Sequence, residues 1–272
     1  MPDHFTEQLA PVPALMAAAD ATDRLRIGAL VWDNDYKHPV VLAKELATLD
    51  VLSGGRLEIG IGAGWMQSDY DQSGIPYDSA AVRIDRMIEG IEVIRGCMAP
   101  GSFSFSGAHY TVTGYQGMPK PLNRPPLLVG GGGPRMLRYA ARQADIVGVN
   151  PVLASGRIDA STIGSMSAEA VDVKVDIVCE TAGNRLTEIE MNIRAFLVAI
   201  GPDADAATTG VAAMVGVPEE MVAASPFALV GPPSKLIEDL QARRERWGFS
   251  YVIVGGENVD DFAPVVAALS GR

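Results

Sequence analysis

Cysteine is almost absent from the chain. Cys97 and Cys179 are the only two in 272 residues, and they lie far apart. A disulfide framework or a zinc site needs more, so both are read as reduced thiols of a cytoplasmic protein. Histidine is nearly as scarce. His4, His38 and His109 form no i,i+4 pair and have no carboxylate cluster beside them, so no metal site is expected. Long apolar runs are also missing. Although 48% of the residues are hydrophobic, no run approaches the roughly 18–20 needed to span a bilayer. The opening "MPDHFTEQLAPVPALMAAAD" has acidic residues and no basic segment ahead of its apolar stretch, so it is not read as a secretory signal. Positive charge is in deficit, with 22 Lys and Arg against 33 Asp and Glu and a net charge of −11. A polyanion would be repelled and no basic cluster with interleaved aromatics occurs, so nucleic acid is not an expected partner.

What is present is an alternation of strand and helix signals. "RLRIGALVW" (24–32) is β-rich, and "HPVVLAKELATLDVLSGG" then places Leu42, Leu46 and Leu49 on one helical face. Pro39 suits the first turn of that helix, with His38 just before it, and Gly54–Gly55 suit its stop. "RLEIGIG" is the next strand, and "SAAVRIDRMIEGIEVIRGCM" the next helix, with Ile84, Met87, Ile88, Ile91 and Ile94 at helical spacing. "FSFSGAHYTV" reads as a small hairpin inserted near 103–116 and carries His109. Beyond it come the strand "PPLLVGGGG", the helix "PRMLRYAARQAD", the short strand "IVGVN" and a helix around 168–182. A long strand "EIEMNIRAFLVAI", the helix "PPSKLIEDLQARRERWG", the strand "YVIVGG" and the helix "VDDFAPVVAAL" complete the pattern. Near-continuous apolar strands alternating with helices indicate a parallel sheet covered by helices, and with no low-complexity linker residues 1–272 read as one domain. Six strands of this kind fall short of the eight of a closed (β/α)8 barrel. Either the sheet is open or the first strand–helix unit and most of the second strand lie upstream of Met1. A start codon assigned too late is the expected explanation, and a genuine truncation is the alternative.

Two glycine runs stand at strand ends. "GIGAGW" fails the dinucleotide fingerprint G-x-G-x-x-G, because Trp65 occupies the last glycine's place and the polar "MQSDYDQSGIP" reads as a loop. Its glycines instead suit the close approach of a flat ligand or of neighbouring backbone. In "LLVGGGGPRMLRYAARQAD", Gly130 to Gly133 run directly into a helix opened by Pro134. Free backbone N–H groups at a helix N-terminus, with Arg135 and Arg138 nearby, suit a phosphate-bearing cofactor.

"HPVVLAKELATLDVLSGGRLEIGIGAGW", "PPLLVGGGGPRMLRYAARQADIVGVNP" and "LVGPPSKLIEDLQ" together resemble the luciferase-like monooxygenase superfamily, and within it the oxidoreductases that use the deazaflavin coenzyme F420. The resemblance covers essentially the whole chain, and it implies an α/β fold, a (β/α)8 TIM barrel of the bacterial-luciferase type. It also implies that the Asp3–His4–Phe5 segment follows a strand, a helix and most of a second strand in relatives. By this resemblance Asp3 contacts the deazaflavin and His4 is the catalytic proton donor or acceptor. A non-proline cis peptide, placed between Ala29 and Leu30 by counting back from "HP", faces the ring. Gly62, Ala63 and Gly64 border the ring, and Gly131, Gly132 and Gly133 hold the phosphate with Arg135 beside them. Asn150 stands at the mouth. Sugar-phosphate-oxidising relatives carry a Trp after the Asp-His pair and a Glu after the glycines. Here "TEQ" and Trp65 stand there, so a sugar phosphate is not the expected substrate and Trp65 is expected to form a pocket wall. Lys37, in the polar "DNDYKHP", reads either as a contact for the cofactor's acidic tail or as part of a solvated loop.

The expected activity is hydride transfer between coenzyme F420 and a small organic substrate. FMN-dependent monooxygenation is the first alternative, and a non-catalytic truncated remnant or cofactor-binding protein the second. Neither nucleic acid nor membrane is an expected partner. Relatives are often homodimers.

Overall fold

The computed structural model describes residues 1–201 and 204–271. Two units are distinguished, Met1–Gly130 with Ala154–Arg157, and Gly131–Leu153 with Ile158–Arg272.

In the first unit, α1 (Pro11–Asp20) precedes β1 (Trp32–Asp33) and α2 (Pro39–Leu52). Pro39 opens α2, the His38 ring accepts from the Val40 N–H, and Leu42, Leu46 and Leu49 are buried. After β2 (Ile59–Gly62) come the short α3 (Gln67–Ser73) and the long α4 (Ala80–Met98). Ser79 caps α4, whose fully buried stripe is Met87, Ile91 and Ile94, while Ile84 and Ile88 lie at its half-buried margin. The expected hairpin is present, with β3 (Phe103–Ser106) antiparallel to β4 (Thr111–Tyr115), and β5 (Leu127–Gly131) follows. Parallel pairs link β1 to β2 and β2 to β5.

Residues 24–32 form less strand than their composition predicts. Ile27 bridges Leu57 and Trp32 pairs with Ile61, so five steps (27 to 32) match four (57 to 61). The surplus residue is absorbed between those two pairs. Counting back from "HP" takes no account of it, and the cis peptide is Leu30–Val31, one residue beyond the expected Ala29–Leu30. The polar segment after Trp65 is likewise a helix, α3, rather than a loop. Its buried residues, Asp69 and Tyr70, are adjacent rather than spaced as an apolar stripe, so periodicity does not reveal it.

The second unit begins at Gly131 and contains α5 (Pro134–Gln143), β6 (Ile146–Val149), α6 (Ala160–Gly164) and α7 (Ala168–Ala182). The single strand expected over "EIEMNIRAFLVAI" is two, β7 (Glu190–Arg194) and β8 (Leu197–Ile200). The break has a hydrogen-bonding cause. The Ala195 N–H donates to the Ile253 carbonyl, whereas the next N–H, of Phe196, donates to Phe227. The chain thus changes partners in one step. Next come α8 (Ala204–Val215), α9 (Glu219–Ala223), β9 (Ala228–Gly231), α10 (Pro233–Trp247), β10 (Phe249–Ile253) and α11 (Val259–Leu269). Parallel pairing joins β6 to β7, β7 to β10, and β8 to β9. Leu229 of β9, Leu236 and Leu240 of α10, and Phe262 and Val265 of α11 share one buried cluster with Ala195. Among the described residues no helix is long and apolar enough to cross a membrane, and no group of His, Cys, Asp and Glu is placed to hold a metal.

Arg243 on α10 is 9% exposed and donates to the carbonyls of Pro226 (2.9 Å), Ala228 (2.7 Å) and Ser225 (3.4 Å). It gathers three carbonyls of the backbone entering β9. Arg243→Leu strands these carbonyls, at about 1–3 kcal/mol for each acceptor left dry. Because the cost of burying the guanidinium is removed with it, the unfolding free energy in urea is expected to fall by the low end of that sum, about 3–5 kcal/mol, and a change below about 0.5 kcal/mol counts against the clamp.

Candidate functional site

Three alternating glycines of the first unit make room for its own backbone at Gly60 and for its own side chains at Gly62 and Gly64. A Cβ on Gly60 would lie 2.3 Å from the Ala29 carbonyl oxygen, and one on Gly62 2.5 Å from Val31 Cγ2. Gly64 has φ +71°, and a Cβ there would lie 1.9 Å from the Tyr70 hydroxyl and 2.4 Å from Asp33 Oδ2. Gly62 and Gly64, with half-buried Ala63 between them, are therefore demanded by protein packing, whatever a ligand requires. The amine of Met1 donates to the Gly28 carbonyl (3.2 Å) and the Leu30 N–H to the Met1 carbonyl (2.7 Å). The N-terminal residues thus run beside 28–30, and Asp3 Oδ2 accepts from the Asp33 N–H at 3.3 Å.

His4 lies in the same cluster. Its Nδ1 stands 2.7 Å from Asp69 Oδ2, and the same oxygen accepts from the Tyr36 hydroxyl at 2.8 Å. The Asp69 side chain is 2% exposed and that of His4 21%. With His4 Nδ1 engaged by Asp69, Nε2 is the ring nitrogen left to take or give a proton. Trp65 meets the imidazole edge-on, with ring centroids 5.8 Å apart. The Tyr77 hydroxyl holds the Trp65 carbonyl at 3.0 Å, and the Arg83 guanidinium lies 4.2 Å above the Tyr77 ring.

A second acidic group lies behind this pair. The Asp33 carboxylate accepts from the Tyr70 hydroxyl (3.2 Å) and the Asp35 N–H (2.9 Å), and Arg86 reaches Asp35 Oδ1 at 3.0 Å. Burial pushes the Asp33 carboxyl up to about 7, aided by the neighbouring Asp35 charge and opposed by those two donors. Burial also raises Asp3, against the pull of the Asp33 N–H, Lys37 and His4. Tyr36 and Tyr70 are raised by burial and by the carboxylates beside them, so both stay protonated and donate. Lys37 pairs with Glu45 at 2.6 Å.

In the second unit, Gly131 and Gly132 are packed. Their Cβ atoms would meet Met136 Cβ at 2.4 Å and the Pro151 carbonyl oxygen at 2.1 Å. Gly133, the residue before α5, has nothing within 4 Å of a built Cβ, and no acidic residue follows in the first turn. That open side, with exposed Arg135 on the helix, suits an anionic group. Asn150 closes the same loop through its N–H to the Gly131 carbonyl at 3.0 Å. Its own carbonyl accepts from Lys174 Nζ at 2.9 Å, and Ser165's carbonyl accepts from the same ammonium at 2.6 Å. Lys174 is 5% exposed, and burial lowers it to about 8.

Asp3, His4, Gly64 and Trp65 thus share one cluster, and Gly131, Gly132, Gly133 and Asn150 another. Asp33, Tyr36, Asp69 and Lys174 were not foreseen. A readable signal existed for Lys174, which shares the buried face of α7 with Val171, Val175 and Val178 at helical spacing.

The Asp33 proton yields a pH prediction. Its folded value, about 7, lies above the ordinary 3.8, so the folded chain retains a proton that the unfolded chain has released between those pH values. The stabilisation is complete below pH 3.8 and is lost as pH rises towards about 7. Over that window the loss amounts to at most about 4 kcal/mol. Asp33→Asn, which cannot ionise, is expected to flatten this slope in urea unfolding across the window. An unchanged slope removes Asp33 as its source.

The model of the luciferase-like monooxygenase family matches residues 1–251. The FMNH2-dependent dimethylsulfone monooxygenase of Pseudomonas putida is 29% identical over 199 residues, 72% of this chain and 50% of its own. The F420-dependent glucose-6-phosphate dehydrogenase of Amycolatopsis mediterranei (strain U-32) is 30% identical over 143 residues, 52% of this chain and 42% of its own. The chain spans about half the length, or less, of these curated relatives. An F420-dependent secondary alcohol dehydrogenase, solved with an F420–acetone adduct, superposes with a TM-score of 0.78 at 18% identity, covering 98% of this chain and 88% of its own. That likeness shows the fold, the α/β barrel class of these enzymes. The chain belongs to the luciferase-like monooxygenase family.

Proposed function

We propose that the protein is an F420-dependent oxidoreductase that moves a hydride to or from a small organic substrate. The observation that carries this reading is the His4–Asp69–Tyr36 array beside Trp65, a proton-transferring imidazole fixed by a buried acid. A bound deazaflavin supplies or accepts the hydride at its central ring carbon. Reduction of a carbonyl or an activated double bond also needs a proton delivered to the substrate, and His4 Nε2 is the group assigned to that step. Asp69 holds the ring orientation and tautomer, and Tyr36 keeps Asp69 in place. Trp65 supplies an apolar wall. Separately, and within the second unit alone, the open side of Gly133 suits an anionic group such as a phosphate. Reduced thiols at Cys97 and Cys179 accord with a cytoplasmic setting.

The name of the 29%-identical Pseudomonas putida relative favours a second reading, FMN-dependent monooxygenation. FMN also carries a phosphate, but its reduced form reacts with oxygen. Fluorescence titration with oxidised coenzyme F420 and with FMN separates the two. The first reading expects F420 to bind at least about tenfold more tightly, a difference of about 1.4 kcal/mol. Preference for FMN, with oxygen consumption on reduction, establishes the second, and binding of neither overturns both.

For the catalytic assignment, His4→Asn is expected to lower kcat about 10²–10⁴-fold while leaving cofactor affinity nearly unchanged. Asp69→Asn, which still fills the space but mis-sets the imidazole, is expected to lower kcat and to displace the pH–rate profile. An unchanged profile in Asp69→Asn leaves Asp69 a structural acid only.

A further inference from the structure

The hairpin of β3 and β4 stands outside the His4 array, yet side-chain bonds fasten it there. One face of α4 begins the connection, through Arg86, Glu89 and Gly90 at i, i+3 and i+4. Arg86 forms an ion pair with Asp35 Oδ1 at 3.0 Å. Glu89 accepts from the N–H groups of Ala108 (2.8 Å), His109 (2.8 Å) and Tyr110 (3.2 Å), successive donors at the hairpin's turn. Gly90 makes room for Asn34, since a Cβ there would lie 2.0 Å from Asn34 Oδ1. The hairpin then reaches the same residue. Asn34 Nδ2 donates to the Tyr110 hydroxyl at 3.0 Å, and the His38 ring meets Tyr110 edge-on at 5.4 Å.

Asn34 is the corner of a turn. The Tyr36 N–H donates to the Asp33 carbonyl at 3.3 Å, so Asn34 and Asp35 are the central residues of a four-residue turn over 33–36. Each corner is pinned by its side chain, Asn34 by the hairpin and Asp35 by Arg86. The turn ends in Tyr36, whose hydroxyl donates to Asp69 at 2.8 Å, and Asp69 bonds His4 at 2.7 Å. The phenol oxygen stands at the far end of a rigid ring. A small rotation of the turn is therefore magnified at Asp69, and pinning both corners suppresses it.

We propose that Tyr110 is a positioning residue for the proton-transferring array, acting on His4 through Asn34, Tyr36 and Asp69. The inference rests on the assignment of His4 as proton donor or acceptor, whichever cofactor carries the hydride.

The test reads the His4 ring directly, by NMR titration of the full chain labelled at histidine, with the His4 signal identified by its loss in His4→Asn. Removing a donor from Asp69 leaves its carboxylate to hold an imidazolium more strongly. Tyr36→Phe is thus expected to move the ring's titration to higher pH by about 0.4–1 unit, the equivalent of one hydrogen bond. Tyr110→Phe, which loses only the hydroxyl, is expected to move it the same way by at least about 0.2 unit. It is expected to add nothing once Tyr36 is Phe. Asn34→Ser removes the same bond from its other side and is expected to reproduce the shift. Ser104→Ala removes a bond from the Gly114 N–H (2.9 Å) at the hairpin's open end and is expected to leave the titration in place. In turnover, Tyr110→Phe is expected to lower kcat about 3–10-fold with KM nearly unchanged. The proposal is overturned if Tyr110→Phe and Asn34→Ser leave the titration unmoved, if they move it equally without the Tyr36 hydroxyl, or if Ser104→Ala moves it as far. Absence of turnover with F420 overturns the hydride-transfer reading alone, because the ring titration is read without cofactor.

Discussion

Three missing methyl groups govern the first unit. With side chains at 60, 62 and 64, residues 29–33 would be forced off β2, and the Asp33 carboxylate would be forced away from the Tyr70 hydroxyl. Everything placed on that segment follows. The Asp33 N–H positions Asp3, and the adjoining N-terminal residues carry His4 to Asp69. The run "GIGAGW" is therefore first a packing device between neighbouring strands, and the chemistry stands on the backbone that the packing sets in place.

The same compression creates the electrostatic character of the cluster. Asp3, Asp33 and Asp69 are brought close together with little access to water. Asp33 responds by holding its proton to near neutrality, because one phenol and one amide donor do not offset its burial. Asp69 is bonded instead by an imidazole and a phenol on one oxygen. Two acids on neighbouring elements thus have different tasks, set by their donors rather than by residue type. Arg83 and Arg86 balance the cluster from α4, through the Tyr77 ring and through Asp35.

The sequence discloses local patterns well and long-range partnership poorly. Helix α2 was legible because Pro39, the leucine spacing and Gly54–Gly55 all agree, and α4 and α5 are of the same kind. The hairpin 103–115 was legible for a similar reason. The division of β7 from β8 was not, because it depends on which distant carbonyl receives Phe196. β9, Ala228–Gly231, is not among the strands read from the sequence, although the equally short β6 is. The pairing of His4 with Asp69 spans 65 positions and exists only through the path of β2 and α3. His4 itself was legible only by family resemblance. Lys174 was open to view on a stripe of valines, where a cation is out of place unless something receives it.

What receives Lys174 by hydrogen bonding is backbone, the carbonyls of Asn150 and Ser165, with the Phe227 ring centroid 5.7 Å from its Nζ. One ammonium thereby ties together the two ends of the intervening loop without consulting any of its side chains. Such a tether is indifferent to the loop's sequence. The tether itself asks nothing of the residues between its anchor points, which are held by bonds of their own, such as the Asp159–Thr162 capping box of α6. A single buried lysine thus sets the span of that segment from outside it.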